Sequence, residues 1–560
     1  MTVRIETRSQ QAKARALRAW LDYGVLCLLL LALAVLAACG PDASRQSGEA
    51  ERAYGGTLVV AGPADLNRAN PLVTNDAYTM EVNRFLLFMP LIRYSSYFDF
   101  EPYLAESWTL HGDTAVTFAL RDDVVWHDGR RTTARDVVFT FERVLDPETA
   151  YPNTAYVASW TRVEAIDSLT VRVRFRPHAD PLVGFALLPI VPAHLLENVS
   201  PGEMRSAPFN RAPVGNGPFR FVSQTPNDRW VFEANPHFPD DLGGRPAIDR
   251  LVWRAIPDRQ AQVTELLTGT ADLALIPPAE QFETLAAREE IRGIERPSFK
   301  YVFIGWNGKR APLGDARVRR ALTLAMNRDE IVQVLRAGRA TLASGPIHPN
   351  HWAYDESIAP LPHDPAAAAS LLDEAGIRDR DGDGVREKAD GQPFSFVLEF
   401  QAENDFNRNM AEMIQADLAE VGVRVTPRPI DWNTLVGHVS SPARDFDAAL
   451  MGWEADFLVD VRDMFHSDAL GGSTQLASYS NATVDAALDR AAGIADREAS
   501  LPIWSELQRT IRDEQPWTFL YYFPDLLLVR ERVHDVEMDL RGIFATVNAW
   551  RIAQAALARN

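Results

Sequence analysis

Cysteine is almost absent: the chain of 560 residues has two, Cys27 and Cys39, both near its N-terminus. No disulfide can staple the remainder, so its stability must come from the size of its core. Hydrophobic runs of membrane-spanning length are also missing. The one apolar stretch that stands out, Val25 to Leu36, has 12 residues, short of the ~20 that a spanning helix needs. Positive charge is in deficit, with 57 Lys and Arg against 76 Asp and Glu and a net charge of −19. Such a surface repels phosphate backbones, which excludes a nucleic-acid partner. Gly-x-Ser-x-Gly, His-Glu-x-x-His and the phosphate-binding loop do not occur, so an enzyme reading has no motif to stand on. A secreted peptide- or glycan-acting hydrolase stays as a minor alternative.

What is present is ordinary globular composition, 46% hydrophobic and 24% charged, over a length that calls for two or three lobes. Arg4, Arg8, Lys13, Arg15 and Arg18 precede the apolar run, which ends in Leu36-Ala37-Ala38-Cys39-Gly40. Basic stretch, short apolar core and small residues before a cleavage point make a secretory signal over residues 1–38. Without a twin-arginine pair, the general secretory route is expected. Cys39 at that junction resembles a lipobox, the bacterial motif whose cysteine is acylated to anchor the mature chain on a membrane, periplasmic or extracytoplasmic in location. The small polar residues from Pro41 to Tyr54 read as a tether.

Regular structure is expected from Thr57-Leu58-Val59-Val60-Ala61 onward. Val171, Val173 and Phe175 alternate with Arg172, Arg174 and Arg176, and Phe394, Phe396, Leu398 and Phe400 repeat the pattern, as half-buried strands do. Asp364-Pro365 opens a helix that Gly376 ends. Thr133 with Asp136 reads as a capping box. Helical spacing runs from Arg317 to Met326 and from Asn409 to Val421. Strands and helices mixed over this length predict an α/β protein with several sheets.

A set of motifs then occurs in order. It comprises Leu104-Ala105-Glu106-Ser107-Trp108, Phe118 to Gly129 with Trp126-His127-Asp128-Gly129, Thr133 to Phe139, Pro213-Val214-Gly215-Asn216-Gly217-Pro218-Phe219 and Gly269-Thr270-Ala271-Asp272. Arg317 to Leu322, Glu374-Ala375-Gly376, Leu418 to Val423, Asp445-Phe446-Asp447 and Pro516-Trp517 follow. From about Gly56 to Tyr522 the chain resembles the family 5 extracellular solute-binding proteins, the peptide- and nickel-binding group of ABC importers. That resemblance implies a two-lobe periplasmic-binding-protein fold with an inserted subdomain, three domains in all, and ligand enclosed between lobes joined by two crossing segments. The expected parts are a tether at 39–55, lobe I from 56–79 with 207–298 and 515–560, the insertion at 80–206 and lobe II at 299–514. Gly215 and Gly217 suit a tight backbone path. Trp108 and Trp126 are read as core.

Gly452-Trp453-Glu454-Ala455-Asp456-Phe457 resembles the Gly-Trp-x-Ala-Asp motif by which oligopeptide-binding members hold a peptide. By that resemblance Asp456 accepts hydrogen bonds from the peptide's α-ammonium, Trp453 walls the cleft, and the backbone around Gly452 and Glu454 pairs with an extended ligand. After it, Leu458-Val459-Asp460-Val461 departs from the usual Asp-Pro. Trp432, Tyr78, Trp306 and Asn307 are further cleft candidates. The implied partners are short peptides and the importer's permease, the implied state is a monomer, and no chemistry or required cofactor is expected. A nickel chelate, an oligosaccharide or a sensory role on the same fold is the alternative.

Asp379, Asp381, Asp383, Gly384 and Asp390 stand at positions one, three, five, six and twelve of a calcium-loop template. A structural calcium and a solvated acidic turn both fit, since position eight is Arg386 and a strand follows. His348, His351 and His363 read as loop residues and not as a metal site.

Overall fold

The strand Lys300–Trp306 is buried along almost its whole length, and its side chains divide between two cores. Val302, Ile304 and Trp306 enter one hydrophobic cluster, while Tyr301 and Phe303 enter another. A strand covered on both faces has no polar side, which is why this segment reads as a continuous apolar run. The computed structural model describes residues 54–177, 180–402, 405–455, 457–459, 461–494 and 496–553. Cys39, the signal-like run and Asp456 lie outside the described residues.

Lys300–Trp306 lies in a six-stranded mixed sheet, in the order Thr341–Leu342, Trp517–Tyr522, Lys300–Trp306, Ala448–Glu454, Ser395–Gln401, Arg424–Ile430. A second sheet of seven strands runs Ile291–Arg296, Asp525–Arg530, Leu273–Ala274, Thr57–Gly62, Arg250–Ala255, Arg229–Ala234, Phe219–Thr225. The two sheets are the centres of the two lobes. A four-stranded antiparallel sheet, Ala105–Leu110, Ala115–Leu120, Thr170–Phe175 and Trp160–Ala165, falls in the stretch expected as an insertion. Its buried residues Val116, Phe118, Val171 and Val173 share one cluster with Leu58, Val60 and Trp253 of the seven-stranded sheet. Trp126 is fully buried in that cluster and Trp108 packs against it.

The chain passes from the seven-stranded to the six-stranded sheet between Arg296 and Lys300, and returns between Tyr522 and Asp525. A return at Gln515 would put Trp517–Tyr522 in the first lobe. The structure instead pairs that strand with Lys300–Trp306, so the return comes later. All six of its residues are buried, which removes the alternation that would have shown its sheet membership.

Local signals account for most helix starts. Asp364 accepts from Ala367 N at 2.9 Å to cap Pro365–Glu374. Thr133 N donates to Asp136 at 2.9 Å in a capping box before Ala134–Leu145. The helix expected at Asn409 begins earlier, at Asp405. Gly269 ends Arg259–Thr268 at φ 80°, and the Asp272 beyond it is fully buried. Its carboxylate takes Arg532 at 2.6 and 2.9 Å and Val59 N at 2.9 Å, which ties the first strand to the last segment of the chain.

The Gly215-Asn216-Gly217 turn is a close backbone approach. A Cβ at Gly215 would stand 1.8 Å from Leu87 O, and one at Gly217 2.5 Å from Leu86 O. His127 bridges the turn, accepting from Gly215 N at Nδ1 (3.2 Å) and so donating from Nε2 to Gly217 O (3.0 Å). Burial lowers its pKa to about 4 despite that last bond, and His348 and His351 are lowered to about 4, burial again first among the causes. Two outcomes follow from this packing. Gly215→Ala should cost about 1–3 kcal/mol of stability by overpacking, read as a lower urea midpoint at unchanged slope. A histidine held neutral in the fold contributes stability above its unfolded pKa of about 6.5 and loses it as pH falls toward 4, by up to ~1.4 kcal/mol per pH unit. Urea midpoints at pH 7.5 and 5 should therefore differ less in His127→Gln than in the wild type.

Candidate functional site

The strand Ala448–Glu454 pairs antiparallel with Lys300–Trp306 throughout, with Gly452 opposite Val302, Trp453 opposite Tyr301 and Glu454 opposite Lys300. On its other edge it meets Ser395–Gln401 only at Ala448 and Ala449. From Leu450 to Glu454 that edge has no strand neighbour among the described residues. Gly452 is exposed, and a Cβ there would find nothing nearer than Tyr301 O at 3.9 Å. The result is half a strand with no strand beside it among the described residues, the arrangement to which an extended chain adds by main-chain hydrogen bonds.

Below the end of this strand lies a cavity of about 230 Å³, walled by Phe299, Tyr301, His348, Trp453, Val459 and Met464 among others. Trp453 is half-buried, its ring 6.3 Å from that of Trp517. His348 Nδ1 accepts from Asn350 N at 3.1 Å. His351 Nδ1 accepts from Ala353 N at 3.2 Å, leaving Nε2–H to donate to Phe457 O at 3.0 Å. With pKa values near 4 both rings are neutral at pH 7, so these residues shape the cavity without charging it. His348, His351 and Phe299 were not among the site residues expected from sequence. The loop Gly345–Trp352 carries two of them, and Pro and His in a loop give no sign of facing a cavity.

Charge gathers where the two crossing segments run side by side. Asp525 takes Lys300 Nζ at 2.6 Å and pairs with Arg296; Glu454 lies 4.0 Å from the same Nζ. Burial opposes ionisation of Asp525, but Lys300 and Arg296 outweigh it and hold its carboxyl below the usual range. Tyr78 faces this cluster from the first lobe, packed 5.4 Å from Trp253. Burial raises its phenol pKa above the usual range, and the negative charges of Asp525 and Glu454 raise it further. Tyr78 and Glu454 thus lie near one charged cluster, Tyr78 packed on the seven-stranded sheet and Glu454 ending a strand of the six-stranded one.

Two expected cleft residues are core. Trp306 is fully buried, donates from Nε1 to Thr518 Oγ1 at 2.9 Å and meets Phe396 edge-on at 5.4 Å. Asn307 is buried too, donating to Arg444 O at 2.9 Å and Phe446 O at 2.7 Å. Its amide ties strand ends together and is spent on backbone. Trp432 begins the helix Trp432–Ser440, capped by Asp431, and is 46% exposed away from the cavity wall.

In the acidic loop, ligand oxygens of Asp379, Asp381, Asp383 and Glu387 lie within 4.8 Å of one another, as oxygens 2.3–2.6 Å from one calcium must. Asp390 is not in the set. The chain folds back through bridges from Glu387 to Arg378 and Pro393, which turns Glu387 inward and leaves Asp390 accepting from Gln392 N at 3.0 Å. Among the described residues this is the one such convergence of three or more His, Cys, Asp or Glu, and it does not include His348, His351 or His363.

Known proteins resemble this arrangement over nearly all of its length. The oligopeptide-binding protein AppA of Bacillus subtilis is 29% identical over 540 residues, 95% of this chain and 98% of its own. Its solved structure, in complex with a nonapeptide, superposes with a TM-score of 0.76, covering 90% of this chain and 99% of that one. NikZ of Campylobacter jejuni, solved with Ni(L-His), gives a TM-score of 0.76 at 25% identity, covering 88% and 99% of the two chains. Heme-binding protein A of Haemophilus influenzae is 28% identical over 449 residues, 75% of this chain and 78% of its own. These relatives are named as binding proteins or solved with a bound solute. Residues 99–473 match the model of the bacterial extracellular solute-binding proteins, family 5 Middle, and the chain belongs to that family.

Proposed function

We propose that the chain is the solute-binding component of an ABC importer, that it captures short peptides between its lobes, and that it hands them to the permease. The observation that carries the peptide reading is the edge from Leu450 to Trp453, beside which no strand runs among the described residues. It offers backbone donors and acceptors in strand geometry, which suit an extended peptide better than a compact chelate or a sugar. The nonapeptide bound by AppA supports the same choice. On this reading Trp453 walls the ligand, the cavity beneath receives one of its side chains, and Asp456 accepts from its α-ammonium. The lobes hinge about the segments Arg296–Lys300 and Tyr522–Asp525, where Asp525 bridges Arg296 and Lys300. No bond is made or broken in the solute. Acylation at Cys39 would hold the protein at the extracytoplasmic face of the membrane, and the acidic loop would take a structural calcium through Asp379, Asp381, Asp383 and Glu387.

Peptides with a free α-amine should raise the melting temperature, by the equivalent of about 2.7 kcal/mol at a hundredfold excess over Kd. Acetylating that amine, or replacing Asp456 with Ala, should remove most of the shift. A shift with Ni(L-His) or glycans and none with peptides would overturn the peptide reading. Calcium titrated by calorimetry should bind the wild type and Asp390→Asn alike and Glu387→Gln at least about tenfold more weakly, since only Glu387 reaches the other oxygens; equal affinities in all three would sink the assignment.

A further inference from the structure

The loop that follows the ligand strand packs in two directions at once. Ala455 and Val459 lie against the second-lobe cluster that holds Tyr301 and Trp517. Phe457 and Leu458, between them, lie against the first-lobe cluster that holds Leu58 and Trp253. A stretch covalently part of one lobe thus lays two half-buried apolar side chains against the core of the other. We propose that Phe457 and Leu458 form a closing latch, which holds the lobes together over a bound solute and sets how fast it leaves.

The surroundings of Phe457 are built for such a contact. Its ring stacks on Tyr94 at 4.9 Å and 20°, with Phe98 at 5.6 Å. Phe299, in the crossing segment, meets it edge-on at 5.2 Å and 84°. Tyr94 and Phe98 belong to the first-lobe hairpin of Ile92–Tyr94 and Phe100–Pro102. Phe98 sits in that turn at φ 63°, a costly conformation for an aromatic residue that persists only where the surroundings enforce it. Ser95 pins the turn, its hydroxyl accepting from Tyr97 N at 3.1 Å and Asp99 N at 3.2 Å. On the other side the carbonyl of Phe457 accepts from His351 in the cavity wall at 3.0 Å. A second tie runs alongside: Arg497 donates to Asp180 at 2.7 Å, its guanidinium 5.8 Å from the Phe100 ring of the same hairpin and 5.2 Å from Trp352.

The coupling follows from position. A solute lying along Leu450–Ala455 orders the segment that carries Phe457, and Phe457 can reach Tyr94 only when the lobes are closed. Release must break the ring stack, so the latch acts on dissociation more than on encounter. The packing of Leu458 against the same cluster enlarges the apolar contact.

The inference rests on the interlobe cleft and not on the identity of the solute, and the test separates the two. A nonapeptide with a free α-amine and a C-terminal fluorophore is followed by stopped flow on the full chain. Phe457→Ala and Leu458→Ala should each raise the dissociation rate about tenfold, equivalent to ~1.4 kcal/mol, with association changed by less than about threefold. Phe457→Tyr should restore the wild-type rate, because a ring that only filled local space would not couple to release. Unchanged dissociation in Phe457→Ala, or a Tyr variant as impaired as the Ala one, would overturn the latch. Amide exchange at Ser95 and Phe98, across the interface, is read in parallel under saturation with whichever of the nonapeptide, Ni(L-His) or a glycan raises the wild-type melting temperature, and should rise in Phe457→Ala but not in Phe457→Tyr. If that solute is not the peptide, the peptide reading fails and the exchange decides the latch: rates in Phe457→Ala equal to wild type refute it.

Discussion

The buried carboxylate of Asp525 is the constraint on which the two-lobe arrangement turns. Two segments must cross between the sheets in the same place, and each brings charge into a poorly hydrated gap. Asp525 opens the returning strand and holds both Arg296, which ends the last strand of the outgoing lobe, and Lys300, which begins the next. Removing one member of a largely buried set like this leaves a charge without its partner and destabilises the crossing. The cluster therefore fixes which residues of the two crossings lie abreast. That register in turn sets where Lys300–Trp306 starts, and so where Glu454 and Trp453 stand opposite it.

From that register the ligand side of the molecule follows without further specification. The central strand is covered on both faces, so its neighbours are determined by two cores at once. The partner strand meets its second neighbour only at Ala448 and Ala449, and among the described residues no strand flanks the rest of that edge. The binding edge is thus a consequence of stagger between seven-residue strands of one sheet.

Legibility in the sequence tracks the range of the interactions. Caps at Asp364 and Thr133 involve residues three apart, and both helix starts could be read from the chain. The alternation at Val171, Val173 and Phe175 was as plain, because one face of that strand is covered and the other is not. Gly215 and Gly217 signalled a close approach, though the partner carbonyls at Leu86 and Leu87 were invisible. Trp306 and Asn307 show where this stops. Whether a strand-end tryptophan faces a cleft or Thr518 depends on contacts more than two hundred residues away. The acidic loop failed differently: the template assumed a helix after the loop, whereas the backbone doubles back and substitutes Glu387 for Asp390. Family resemblance supplied the rest: it pointed to Trp453 and Glu454, which line one cavity, and to Tyr78, which lies near the charged cluster beside them.

An unpaired strand edge is ordinarily a hazard, since any second copy of the same edge can pair with it and seed aggregation. Here the edge from Leu450 to Trp453, with no strand beside it among the described residues, leads into a loop that packs on both lobes. A second folded copy would have to bring a whole sheet edge past that loop, whereas an extended chain brings one strand. Placing the edge beneath a segment packed on both lobes therefore favours the thinner partner over self-association.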